Sequence, residues 1–135
     1  MKLLPDTQIL IWAADSPGVL PKKARDLLNN PDNSVFFSTA SLWEVAIKFG
    51  LNRPDFRVDP HVLHQGLISS GYQELCICGR HAIAVNELPA LHKDPFDRLL
   101  IAQARVEGMT LLTCDAAIAA YLGPIVFAGK PDTTK

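Results

Sequence analysis

The side chains best suited to chemistry in this 135-residue chain are four carboxylates, Asp6, Glu44, Asp97 and Asp115. Gathered in one place they would ligate a cation; kept apart, each has a plainer structural role. Asp6 precedes Thr7 and an apolar run, so it either caps a helix or stands as an acid at a strand end. Asp115 precedes Ala116-Ala117-Ile118-Ala119-Ala120 and carries the same two alternatives. Glu44 lies in Ser41-Leu42-Trp43-Glu44-Val45-Ala46-Ile47-Lys48-Phe49, a helical segment apolar around nearly its whole circumference. A Glu44–Lys48 pair on a narrow solvent stripe would contribute only about 0.2–0.5 kcal/mol. Because Trp43 and Ile47 leave little room for a solvated face, an inward Glu44 lining a cleft is the expectation. Asp97 follows Asp94-Pro95, a strong helix start with Asp94 as N-cap and Pro95 at the first helical position. At the third position Asp97 suits the helix dipole. It also heads an otherwise apolar line through Ile101, Ala104 and Gly108, which points to function, whereas Asp94 reads as structural.

Elements that could position these acids follow from alternating patterns. Short apolar runs predict strands over 2–5, 35–38, 74–76, 110–112 and 125–127. Helical patterns lie between them near 7–14, 21–29, 40–49, 60–70, 79–87, 95–107 and 115–121, punctuated by Gly18, Gly50, Gly71, Gly108 and Gly123-Pro124. Strands alternating with helices imply right-handed parallel crossovers, hence an α/β fold. The expected form is a three-layer α/β/α sandwich with a mostly parallel central sheet. Ligands of such sheets bind beyond the carboxyl ends of the strands, where Asp6 and Asp115 fall. The length suits one domain over 1–128, with a polar tail over 129–135.

Composition narrows the function classes. With 48% hydrophobic and 20% charged residues, the chain is neither disordered nor collagen-like. The longest apolar run, Ile9–Ala14, is far short of the ~20 residues that span a bilayer. Asp6, Thr7 and Gln8 interrupt what could otherwise open a signal peptide, and a cytoplasmic location is expected. Net charge is −1, so a nucleic acid must be held by a local patch or a metal rather than by the overall field. Cys76 and Cys78, with His64 and His81 nearby, lack the second ligand pair of a structural zinc site, and buried or half-buried free thiols are expected. No histidine is obviously placed to activate Cys114 as a nucleophile.

The four acids, in this order and setting, resemble those of the PIN-domain ribonucleases, most closely the VapC-type toxins of toxin–antitoxin pairs. Leu3-Leu4-Pro5-Asp6-Thr7 resembles the opening strand and first acid, and Ser41 to Lys48 the second motif. Asp94-Pro95-Phe96-Asp97-Arg98-Leu99-Leu100-Ile101-Ala102-Gln103-Ala104 is close to the third, and Leu112-Thr113-Cys114-Asp115 resembles the fourth. The likeness runs from Met1 to about Phe127. Pro5 departs from it, standing where the family has an aliphatic residue; proline is unwelcome inside a central strand, though tolerable at its last position.

The resemblance implies a metal-dependent endoribonuclease with Asp6, Glu44, Asp97 and Asp115 as both catalytic and metal-binding residues, leaving a 5′-phosphate and a 3′-hydroxyl. Two ionised carboxylates about 4 Å apart repel by roughly 4 kcal/mol at an effective dielectric near 20, so such a cluster needs protons or a cation. Oxygen donors without Cys or His at the site suit Mg2+, with Mn2+ possible, rather than zinc. The resemblance also implies a cognate VapB-type antitoxin whose segment enters the acidic groove, and a homodimer. RNA contacts are expected from cations around the cleft, Lys48 and Arg98 first because they flank Glu44 and Asp97, then Arg53, Arg57 and Lys93. No aromatic-interleaved basic stretch indicates a stacking platform for single strands. Two other readings compete: a non-catalytic PIN-like binding module, if Pro5 misaims Asp6, and a haloacid-dehalogenase-like phosphatase, which needs an Asp where Gln8 stands.

Overall fold

Leu3, Leu4, Leu111 and Leu112 are fully buried, and period-two alternation sends neighbours in each pair to opposite faces of a sheet. Each such leucine contributes roughly 1.5–3 kcal/mol through burial. The computed structural model describes residues 1–131. Along the chain it contains β1 (Lys2–Pro5), α1 (Thr7–Asp15), α2 (Lys22–Asn29), β2 (Ser34–Ser38), α3 (Thr39–Gly50), α4 (Pro60–Ser69) and β3 (Gln73–Leu75). There follow α5 (Gly79–Ala84), α6 (Pro95–Glu107), β4 (Thr110–Thr113), α7 (Ala116–Ala119) and β5 (Ile125–Phe127). The strands form one five-stranded sheet in the order β3-β2-β1-β4-β5. Every neighbouring pair is parallel.

Helices cover both faces, as an all-parallel sheet requires. Leu3 and Leu112 pack with Ile9, Leu20, Ala24 and Leu28 of the α1–α2 side. Leu4 and Leu111 pack with Leu100, Ile101, Ala104 and Ile118 from α6 and α7. A third cluster joins Leu10, Ile11, Phe37, Val45, Leu63 and Leu67, seating α3 and α4 against α1. Winding proceeds outward from β1 in one direction to β2 and β3, and in the other to β4 and β5. The switch point therefore lies between β1 and β4, whose carboxyl ends lead directly to Asp6 and Asp115.

Several element ends differ from expectation. α5 stops at Ala84 and a single 3-10 turn, Val85–Glu87, replaces its predicted last turn. There the Val85 carbonyl accepts from Leu88 N–H and from the Arg98 guanidinium. α7 is shorter than the predicted 115–121 at both ends, with Asp115 as its extended N-cap and Ala120 as its C-cap. Both ends of α6 form as expected: Asp94 Oδ1 accepts from the amides of Phe96 and Asp97, and Gly108 closes the helix at φ 66°. Pro5 is accommodated as the last residue of β1. Asp6 N–H donates to Leu112 O of β4, so alternation turns the Pro5 nitrogen toward β2, beyond the last registered β1–β2 pair, Leu3 with Val35. Of the predicted tail, 132–135 lie outside the described residues. Among the described residues no helix is long and apolar enough to cross a membrane.

Candidate active site

Asp6 leaves the carboxyl end of β1 in an extended conformation, and its two oxygens have separate tasks. Oδ1 accepts from Ile9 N–H at 2.9 Å and starts α1; Oδ2 accepts from the Thr113 hydroxyl at 2.6 Å. That same Thr113 oxygen accepts from the Asp115 amide at 2.9 Å. One hydroxyl at the end of β4 thus sets the spacing of Asp6 and Asp115 across the switch point. Asp115 in turn caps α7 through Ala117 N–H. For both acids the two sequence readings are realised together: each is a helix cap and each lines the same cavity.

Glu44 arrives from α3. It is 5% exposed, while Trp43 and Ile47, expected to be buried, are 58% and 42% exposed. The helix is turned so that Ala40, Ser41, Glu44 and Val45 face inward. Trp43 lies outside with its ring edge-on to Phe96 of α6, centroids 5.2 Å apart. A hydrogen bond of 2.9 Å from Thr7 to Ser41 ties the start of α1 to this inner face. Glu44 Oε2 holds Lys48 Nζ at 2.8 Å, but Oε1 is buried without any hydrogen-bond partner. A buried carboxylate oxygen left bare is costly and marks a place for a missing partner.

Asp97 stands at the third position of α6, partly buried, with Oδ2 2.8 Å from His92 Nε2. His92 is held from behind: its amide donates to the Tyr121 hydroxyl at 2.9 Å. His92, Asp94 and Asp97 each place a ligand atom within 4.8 Å of the others. Sequence reasoning missed His92 and Thr113, and took the site to be free of histidine. The i, i+5 spacing across a helix start gave little sign of the contact, because a loop must fold back to make it.

Asp6, Glu44, Asp97 and Asp115 all line one cavity of about 450 Å3, together with Asp94, Lys48 and Cys114. Burial pushes the Asp6 carboxyl up to about 6; the Thr113 and Ile9 hydrogen bonds oppose this, and the charges of Asp115 and Glu44 add to it. Asp97 is likewise pushed to about 6 by burial, against the His92 hydrogen bond and with the charges of Asp94, Glu44 and Asp6. Burial and the Asp6 charge raise the Cys114 thiol to about 11, so it stays protonated near neutrality and is unsuited to nucleophilic attack. Carboxylates that raise one another, beside a bare buried Oε1 and with the His92 nitrogen in reach, fit a divalent cation. The donor set therefore has acidic groups able to hold such an ion.

The other sequence candidates separate. Lys48 lines the cavity, paired with Glu44. Arg98 does not line it: its guanidinium donates to the carbonyls of Val85, Pro89 and His92 and to the Tyr121 hydroxyl, latching the loop before α6. Arg98 thus clamps the loop before α6 and stands outside the cavity that Asp97 lines. Arg53 and Arg57 share a hollow with Phe49 and Phe56, so the aromatic-interleaved basic surface that sequence reasoning discounted exists in space. Cys76 and Cys78 are exposed rather than buried. His64 pairs with Glu74 instead of joining the two cysteines. Cys78, His81 and Glu107 do approach within 4.8 Å, but both His81 nitrogens are engaged. Nδ1 accepts from Cys78 N–H, and Nε2 meets Glu107 at 2.6 Å.

The acids gather at the switch point of a parallel α/β sheet, beyond the strand ends where proteins of this class take their ligands. The family model for the PIN domain matches residues 3–122, and the chain belongs to that family. No curated protein matches it. Among solved structures it is similar to DNA-bound VapBC from Salmonella typhimurium, with TM-score 0.68 and 17% identity over 95% of this chain and 98% of that one. It is similar to a toxin–antitoxin complex from Klebsiella pneumoniae, with TM-score 0.64 and 19% identity over 95% and 98%. It is also similar to VapBC2 from Rickettsia felis bound to a promoter DNA fragment, with TM-score 0.60 and 18% identity over 85% and 88%. At these identities the likeness is one of fold.

Proposed function

We propose that the chain is a divalent-metal-dependent endoribonuclease, the toxin of a toxin–antitoxin pair, acting on RNA in the cytoplasm. The carrying observation is that Asp6, Glu44, Asp97 and Asp115 line one cavity in which Glu44 Oε1 has no partner. Asp6 and Asp97 are the leading candidates to hold Mg2+ or Mn2+, with Glu44 and Asp115 completing the cage or orienting water. When bound, the ion supplies Lewis-acid polarisation of the scissile phosphate and a more acidic water. The protein's own contribution is positioning. Thr113 fixes Asp6 against Asp115, His92 aims Asp97, and Lys48 balances one oxygen of Glu44. Above about pH 6 Asp6 and Asp97 are both ionised and ready to bind.

Three toxin–antitoxin assemblies among the similar structures support an antitoxin partner. The acidic cavity suits a partner segment carrying an arginine, whose planar fork would compete for the carboxylates. The homodimer implied by the resemblance belongs to the same proposal. The reading as a non-catalytic module depended on Pro5 misaiming Asp6. The bonds to Leu112, Ile9 and Thr113 hold Asp6 in place despite the proline, which supports the nuclease reading. RNA cleavage assayed with Mg2+ or Mn2+, beside an Asp97→Asn control, tests it. Metal-dependent cleavage lost in the variant is the expected result, and equal cleavage by both proteins removes the proposed site.

A further inference from the structure

We propose that the hollow lined by Phe49, Asn52, Arg53, Pro54, Phe56 and Arg57 is a subsite for single-stranded RNA flanking the scissile bond. The inference rests on the nuclease reading and adds where the substrate strand lies. An acidic cavity on a chain of net charge −1 repels a polyanion, so affinity must come from cations beside the cavity. Phe56 lines both the hollow and the acidic cavity, and Lys48 Nζ sits 5.9 Å from the centre of its ring. The two depressions thus adjoin at Phe56, with acids on one side of it and arginines on the other.

The hollow has the chemistry such a strand needs. Its lining includes two guanidinium groups and no carboxylate. Asp55, between them in sequence, lines a neighbouring groove with Asp15 and Asp59, which Arg57 also borders without pairing to any of the three. Among the described residues neither Arg53 nor Arg57 forms an ion pair. Arg57 Nε donates to the Pro54 carbonyl at 3.2 Å, which anchors the side chain without neutralising it. Phe49 is 38% exposed and Phe56 half-buried, so both offer surface against which a base can stack. Bases of a duplex already stack on each other, which makes the unpaired strand the matching ligand. The loop is also pre-shaped. Asn52 adopts φ 54°, its amide returns to Phe49 O, and Phe56 N–H returns to Arg53 O, bringing rings and guanidinium groups to one side.

The test measures binding of a labelled single-stranded RNA to the full chain in EDTA, where cleavage is off, by fluorescence anisotropy across a salt series. Replacing both arginines (Arg53→Gln with Arg57→Gln) is expected to weaken binding about tenfold. It should also flatten the slope of log affinity against log salt by roughly 1.4, since each phosphate contact on a single strand contributes about 0.7. Arg53→Lys with Arg57→Lys should restore the slope. Phe56→Leu keeps the apolar packing and should weaken binding about tenfold with the slope unchanged, as loss of one stacked base predicts. If Phe56→Leu lowers the melting temperature, Phe49→Leu at the more exposed ring takes its place. Unchanged affinity in both the arginine and phenylalanine variants overturns the proposal. So does equal weakening on duplex RNA, or intact RNA binding with loss of a protein partner. Failure of the wild-type protein to cleave RNA would strike the nuclease reading and leave these binding results interpretable.

Discussion

Two polar clusters penetrate the interior of this protein, and they are built on opposite terms. In one, Ser38 Oγ donates to Gln103 Oε1 at 2.5 Å, Gln103 Nε2 meets His81 Nδ1 at 3.3 Å, and His81 Nε2 meets Glu107 at 2.6 Å. Every buried polar atom there has a partner. In the other, five carboxylates share a cavity, two of them are pushed up to about 6, and Glu44 Oε1 has no partner. Both clusters draw on α6, and Ser38 of the first is the N-cap of the helix that carries Glu44 of the second, so neighbouring stretches of the chain carry both kinds. A closed network fixes how a core is assembled, whereas a network left open and of one charge is tolerable only where something else completes it.

The contrast can be broken most forcefully by exchanging effects. Asp97→Asn should cut metal-dependent RNA cleavage by about a hundredfold or more, the scale on which one electrostatic group at a reaction centre acts, with little loss of folding. Gln103→Leu should do the reverse. It leaves the Ser38 hydroxyl proton without its acceptor, costs about 1–3 kcal/mol in urea denaturation, and leaves cleavage per folded molecule intact. If Gln103→Leu instead abolished cleavage at unchanged stability, the division between the clusters would fail.

The pH dependence sharpens the same division. Asp6 holds its proton more tightly folded than unfolded, about 6 against 3.8, so protonation stabilises the fold. That contribution is complete below pH 3.8 and is lost as pH rises through about 6; for Asp6 its upper bound is roughly 3 kcal/mol. In EDTA, wild-type protein should therefore lose stability between pH 4 and 7 relative to Asp6→Asn. Saturating Mg2+ should raise the melting temperature more at pH 7.5 than at pH 5. Equal metal-induced shifts at both values would contradict it. A smaller effect is expected from Glu44→Gln, which removes a buried charge only one of whose oxygens is paired. The metal-free protein should melt higher by about 1 kcal/mol of stability while its divalent affinity, read by calorimetry, falls.

Much of this arrangement was legible beforehand, because its causes are local. Leu3-Leu4 and Leu111-Leu112 announce buried parallel strands, and Asp94-Pro95 with Gly108 brackets α6 by capping alone. Asp6, Asp97 and Asp115 stand out at strand ends and helix starts, where parallel topology gathers side chains, and Glu44 as a carboxylate in an otherwise apolar helix. What stayed hidden depends on long-range closure. His92 reaches Asp97 only because Arg98 and Tyr121, one of them 29 residues away from His92, latch the intervening loop. Trp43 is exposed because the neighbours of α3, not its own composition, decide which face is buried. Phe49 shares a hollow with Arg53 and Arg57 because Asn52 turns the chain through a left-handed conformation.

Three helices begin at acids of the cavity: α1 at Asp6, α6 at Asp94 and α7 at Asp115. Their first-turn amides are thus pinned by groups whose mutual repulsion pulls the other way. Relieving that repulsion tightens all three starts together, and the occupied cavity would be read far from itself as slower amide hydrogen exchange at Ile9, Phe96 and Ala117.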